Sequence, residues 1–269
     1  MHVLVASSLS RDVNELAGCR IDRLGGAVIH SGLVYSGLGA DTTVTFRSTL
    51  DDLNLARELL GARVRIQHQL SDVTTAFANC YAPDARRTQR ILALAPTIDV
   101  CSAVGPVDLV HLSPLHQADL APAWFDVTTT IAIDLQGLLR PAQPGIVRHR
   151  CSPDIHGCLA RARYVKASAA EMTVLLAHLG TGERELTQHY PETEFLISEG
   201  HRGGRILPAE GIEARWHAQP LDAAVDTTGA GDMFFAAFLT YRQRLPAAPA
   251  AAHAATLTHR LLRDRPAHP

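Results

Sequence analysis

The sequence predicts an α/β protein: a mainly parallel sheet covered by helices. Three observations carry that expectation. Short apolar runs alternate with stretches of helical spacing along much of the chain, the order that parallel strands and crossover helices require. The chain has 269 residues, 46% hydrophobic and 19% charged, enough to bury a large core. Near the C-terminal end, Asp226-Thr227-Thr228-Gly229-Ala230-Gly231-Asp232 runs straight into an apolar helix over 233–241.

Taken in order, residues 3–6 read as a strand. Val28, Ile29, Leu33 and Val34 recur at helical spacing, so 26–38 reads as a helix. A strand at 42–46, a helix at 53–60 and a strand at 64–66 follow. Further apolar strands are expected at 109–112, 131–135, 164–166 and 195–198, with ligands at the strand C-terminal ends. The last helix falls within 248–262, overlapping the bounded Ala/Pro tract 246–255. Residues 19–24 and 74–94 break the alternation and look like extended hairpin material, with Pro83-Asp84 as a turn. Pattern alone permits an ordinary edge hairpin there. No internal repeat is present, and 1–269 reads as a single domain.

Composition excludes several classes. The formal net charge of −2 lacks the basic excess of a nucleic-acid surface. Lys166 is the one lysine, and its context is neither a Walker A loop nor a protein-kinase strand. Five cysteines (Cys19, Cys80, Cys101, Cys151, Cys158) without a Cys-x-x-Cys pair fit reduced thiols in a cytoplasm. No apolar stretch approaches the ~18 residues of a membrane span, and the first residues lack the basic region of a signal peptide. The histidine spacings 111…116 and 149…156 form no metal constellation. There is no Gly-x-Ser-x-Gly elbow, and Gly37-Leu38-Gly39 lacks the third glycine of a dinucleotide fingerprint.

The run 226–232 carries the chemistry. Glycines let the backbone approach a ligand, and the unpaired amides at a helix start attract an anion. Asp232 in that first turn would repel a phosphate unless it had a task, and taking a proton from an attacking hydroxyl is the obvious one. An anion cradle beside a base is the minimum for phosphoryl transfer to an alcohol. The bland alternative is a glycine-rich loop that merely caps a helix.

The same seven residues resemble the C-terminal signature of the ribokinase-like (PfkB-type) carbohydrate and nucleoside kinases. That resemblance implies a three-layer sandwich with a small β-lid, built here from about 10–24 and 72–95. It makes Asp232 the catalytic base, and Thr228, Gly229, Ala230 and Gly231 the anion hole for the ATP phosphates. It places a monovalent cation such as K+ near Asp226. Gly25-Gly26 resembles the family's N-terminal glycine pair, and Asp12 falls where the family holds substrate hydroxyls; a surface turn is the alternative for Asp12. His30 stands where ribokinase has Asn, so it reads either as an acceptor ligand or as packing. Asn79 and Tyr81 fall in the lid as substrate contacts. Ser168 and Glu171 resemble the family's Asn-x-x-Glu motif, whose Glu orders water around Mg2+, with Ser in place of Asn; they also spell a capping box. Asp134-Leu135-Gln136-Gly137-Leu138-Leu139-Arg140 looks like a run in inositol-kinase-like members, as does Arg86–Arg90. Lys166 and Gly200 join Asp134 on the nucleotide side.

The expectation is therefore ATP- and Mg2+-dependent phosphorylation of a sugar or cyclitol alcohol by a cytoplasmic protein, with a homodimer through the lid. No nucleic-acid or membrane partner is expected. A nucleoside kinase, with Phe77 and Tyr81 as an aromatic shelf, is one alternative. A catalytically idle small-molecule binder is the other.

Overall fold

The structure, a computed structural model, describes residues 1–16, 19–81, 87–100, 106–209, 213–221 and 226–265, without the side chains of residues 15, 16, 19–21, 81 and 87. The expected Pro83-Asp84 turn, Arg86, and the side chains of Tyr81 and Arg87 lie outside that description. The chain opens with β1 (His2–Ala6), β2 (Ser10–Leu16), β3 (Cys19–Gly25), α1 (Ala27–Gly37), β4 (Asp41–Ser48), α2 (Leu50–Leu60) and β5 (Val64–Leu70). Then come β6 (Thr75–Tyr81), β7 (Arg87–Ala93), β8 (Leu109–Leu112), β9 (Thr130–Asp134) and β10 (Gly145–Ile146). The remainder is α3 (Ile155–Arg161), β11 (Tyr164–Ser168), α4 (Ala169–Leu179), α5 (Glu183–His189), β12 (Glu194–Ser198), β13 (Gly204–Leu207), β14 (Ala214–Trp216), α6 (Ala230–Arg242) and α7 (Ala247–Arg263).

Nine strands form one sheet in the order β14-β13-β12-β11-β9-β8-β1-β4-β5. Every pairing from β12 to β5 is parallel; β13 and β14 are antiparallel additions at one edge. The antiparallel turn is made by Gly203 at φ 94, where a Cβ would collide with the Trp216 carbonyl. These edge strands and the two-residue β10 were not expected from the sequence, being short and weakly patterned.

Period-two alternation in β1 splits its side chains between two cores. Val3 and Val5 join α1, α2, α6 and α7 on one face; Leu4 and Ala6 join α3, α4 and α5 on the other. The result is the expected three-layer α/β arrangement. Helix α6 is buried without a break from Met233 to Leu239, as a helix apolar around most of its circumference must be. Phe235 and Phe238 are fully enclosed, and Phe234 stacks on Trp216 with centroids 4.6 Å apart. Burial of each such ring is worth about 1.5–3 kcal/mol.

The sheet grows outward from β1 in both directions, so its switch point lies between β1 and β8. From the C-terminal end of β1 the chain passes directly into a second sheet, ordered β10-β7-β6-β2-β3. Asp12, Asn14, Phe77, Asn79, Gln89 and Ile91 are in register and share one face of it.

Candidate active site

The turn before α6 has the geometry of an anion cradle. Gly229 is left-handed at φ 75, and the first intrahelical bond is Met233 N–H to the Gly229 carbonyl at 2.9 Å. The Asp226 carboxylate accepts from the Thr228 amide (3.0 Å) and hydroxyl (2.7 Å), while the Ala230 amide donates to the Thr227 carbonyl (3.0 Å). Two of the four expected anion-hole amides are thus consumed in shaping the turn. Those of Gly229, Gly231 and Asp232 have no acceptor among the described residues, which leaves the helix start open to an anion.

Lys166 comes from the sheet to meet this helix start. It sits on β11 in register with Asp134 of β9, and its Nζ donates to Asp134 Oδ2 at 2.8 Å. Asp134 Oδ1 in turn accepts the Gln136 amide at 3.1 Å, which holds the carboxylate in place. Burial alone would lower the Lys166 pKa, but Asp134, Glu171 and Asp232 outweigh it and raise it. Asp232, in the first turn of α6, moves the other way. Burial and then Asp134 push its pKa up to about 7, against the pull of Lys166 and Arg140. The Ser31 hydroxyl on α1 donates to the Asp232 carbonyl at 3.2 Å and steadies the turn. A carboxylate that titrates near neutrality beside open amides can accept a proton from an alcohol.

Arg140 closes the run that begins at Asp134 and was expected only as part of that motif. In the structure it is buried, its guanidinium 5.4 Å from the centre of the Phe77 ring, and it acts electrostatically on Asp232. The signal was its place six residues after Asp134, across a short helical turn that brings it back to the same strand end.

The second sheet faces this cluster. Asp12 Oδ2 accepts from Ser10 Oγ at 3.1 Å, and Asp12 raises the pKa of Asp232. A Cβ on Gly25 would stand 2.6 Å from Asp12 Oδ2, so the glycine makes room for the carboxylate. Gly26, at φ 91, is the N-cap of α1, where a Cβ would meet the Ser8 carbonyl at 2.6 Å. Asn79 donates to Asn14 (2.8 Å) and accepts from Gln89 (2.9 Å), forming a polar row on the same face as Asp12.

Other residues fall differently. The His30 ring packs against Gly229, in the turn before α6, and its Nε2 is buried without a partner among the described residues. Ser168 and Glu171 form a true capping box: the Ser168 amide donates to Glu171 Oε2 (2.7 Å) and the Glu171 amide to Ser168 Oγ (3.2 Å). Glu171 nonetheless acts on the Lys166 ammonium. Gly200, at φ 62, lies past the end of β12 with open space where a Cβ would point. Asp226 is engaged by Arg23 and, at 3.7 Å, by Arg265.

The family model described as pfkB family carbohydrate kinase matches residues 66–255. Among solved structures, a pyrophosphate-dependent kinase in the ribokinase family, complexed with a pyrophosphate analog and myo-inositol, superposes with TM-score 0.83 at 21% identity, covering 99% of this chain and 97% of that one. Ribokinase from Cryptococcus neoformans var. grubii in complex with ADP gives TM-score 0.76 at 15% identity, covering 99% and 94%. Burkholderia thailandensis nucleoside kinase in complex with inosine gives 0.72 at 15%, covering 98% and 91%. No curated protein matches significantly. The family match spans most of the chain and ends inside α7, beyond the glycine turn: the protein belongs to the pfkB family of carbohydrate kinases and is a phosphotransferase that acts on an alcohol group.

Proposed function

We propose that this protein transfers the γ-phosphoryl group of ATP to a hydroxyl of a sugar or cyclitol, with Asp232 as general base. The observation that carries the reading is the position of Asp232: a carboxylate of raised pKa in the same helical turn as the open Gly231 amide. Asp232 takes the hydroxyl proton as the oxygen attacks, and the amides with Lys166 offset the charge that gathers on the phosphoryl oxygens. Asp12, Asn14, Asn79 and Gln89 offer acceptors and donors suited to polyol hydroxyls. The second sheet then serves as the lid. Phe77 is only 2% exposed and lies beneath Arg140, which counts against an aromatic shelf for a nucleobase.

Among the described residues no three His, Cys, Asp or Glu side chains come together to hold a metal directly, so Mg2+ would arrive with the donor phosphates and keep most of its water. Bound with the donor, the ion would neutralise phosphate charge, held by Glu171 through water. Free Cys151 and Cys158 fit a cytoplasmic setting, and among the described residues no helix is long and apolar enough to cross a membrane. Leu92 and Ile146, 47% and 60% exposed, support a homodimer through the outer face of the lid.

Pyrophosphate as donor is a second reading, favoured by the higher structural similarity to a pyrophosphate-dependent kinase than to the ADP-bound ribokinase. One assay separates the possibilities. The protein is offered myo-inositol, ribose and inosine, each with ATP and with pyrophosphate, and phosphorus NMR follows new phosphate esters. A polyol ester formed with ATP is expected. An ester from inosine alone, or from none of the acceptors, would reject the reading.

A further inference from the structure

The family resemblance implies a monovalent cation beside the phosphate turn, and the oxygens there can be tested for one. Asp226 Oδ1 is occupied by the Thr228 amide and hydroxyl, and Oδ2 by Arg23. Two backbone carbonyls of the turn, those of Asp226 and Thr228, both accept from Arg265 Nη1, at 3.0 and 2.8 Å. Arg265 Nη2 reaches Met233 Sδ in the first turn of α6 at 3.7 Å. A guanidinium already fills the space a cation would take, and two arginines face one carboxylate, so an added cation would meet a local excess of positive charge. The residues do not fit K+.

We infer that Arg265 is the protein's own tethered cation: it holds the carbonyls of the phosphate turn, so the enzyme requires no added monovalent cation. This rests on the kinase reading above. The fold explains how the group arrives. Helix α7 packs along α6 and ends at Arg263, and the chain turns back with the Arg265 amide bonded to the Leu262 carbonyl. That geometry lays the Arg265 side chain under the turn that begins α6. Arg23 reaches the same carboxylate from β3, so the lid sheet and the C-terminal helix both brace one loop. A guanidinium donates along fixed directions and keeps its charge, which suits clamping two carbonyls at once.

Arg265 is a positioning residue, and its test uses cation exchange. Thermal melts and turnover of the wild-type protein are compared in KCl, NaCl and choline chloride at equal ionic strength. The wild type is expected to show the same Tm in all three, and less than about twofold variation in kcat. Arg265→Ala should lose about ten- to a hundredfold in kcat. Its melt should rise in KCl over choline chloride, because a cation can now reach the two freed carbonyls of Asp226 and Thr228. Arg265→Lys should retain more activity than Arg265→Ala. K+-specific stabilisation of the wild type would overturn the inference, as would an Arg265→Ala variant indifferent to K+. Should Arg265→Ala fail to fold, the wild-type melts alone decide. They need no turnover, so they remain informative even if the kinase reading is wrong.

Discussion

A Cβ on Gly231 would stand 2.8 Å from Lys166 Nζ, so the ammonium of the chain's one lysine lies directly against the first turn of α6. The backbone there is ordinary helix, and the atom that would be struck is the far end of a flexible side chain. Gly231→Ala is therefore expected to leave the fold intact, with Tm changed by no more than a few degrees. Turnover should fall at least about tenfold, because the methyl displaces Lys166 from Asp134 and crowds the amides. A variant with wild-type kcat would count against a phosphate cradle at this turn.

Gly229 should behave in the opposite way. It is left-handed, and a Cβ would run into the half-buried His30 ring. Gly229→Ala is expected to cost about 1–3 kcal/mol of stability, seen as a lower denaturation midpoint in urea. An unchanged midpoint would mean that the loop relaxes freely.

Asp232 supplies a pair of linked expectations. As a base it must be ionised, so kcat/KM should fall as pH drops below about 7, the value to which burial and Asp134 raise it. Asp232→Asn should lower kcat by about 10²–10⁴. The stability effect has the reverse sign. A folded pKa of about 7 against an ordinary 3.8 means the native state holds a proton that the unfolded chain releases. Stability is therefore lost as pH rises between those values, and the full penalty stands above them. Asp232→Asn should melt higher than wild type at about pH 8, with the gain gone near about pH 4. A melting point lowered at both pH values would contradict the assignment.

His30 was expected either to touch acceptor hydroxyls or to pack, and its ring lies against Gly229. Burial, with Arg265 adding to it, lowers its pKa from 6.5 to about 4. The native ring thus stays neutral while the unfolded one charges, and stability drains as pH falls from about 6.5 toward about 4. His30→Asn should lower Tm at neutral pH by loss of ring packing, flatten that acid dependence, and leave the ratio of kcat/KM for two acceptors unchanged. A shifted acceptor ratio would restore His30 to the substrate pocket.

Much of the architecture was legible because it rests on local pattern. The alternation of apolar runs located β1, β4, β5, β8, β9, β11 and β12, and helical patterns between them located α1 and α2, because strands and helices buried on known faces must repeat with fixed periods. The edge strands β13 and β14 escaped because strands of four and three residues carry too few alternations to register.

The sequence by itself determined the fold class, the glycine turn with its carboxylate, and the family to which they belong. These are contiguous features, and contiguity preserves their geometry. Only the tertiary structure decided which distant side chains complete the turn. Asp134 and Lys166 meet because β9 and β11 are neighbours in register, and Arg140 joins them after a short helical turn. Arg23 and Arg265, 203 and 39 residues from Asp226, converge on one loop from a lid strand and from the chain beyond the last helix. His30 went to the glycine turn because α1 packs against α6. No spacing rule encodes such contacts, for they depend on how whole elements pack once their apolar faces have been buried.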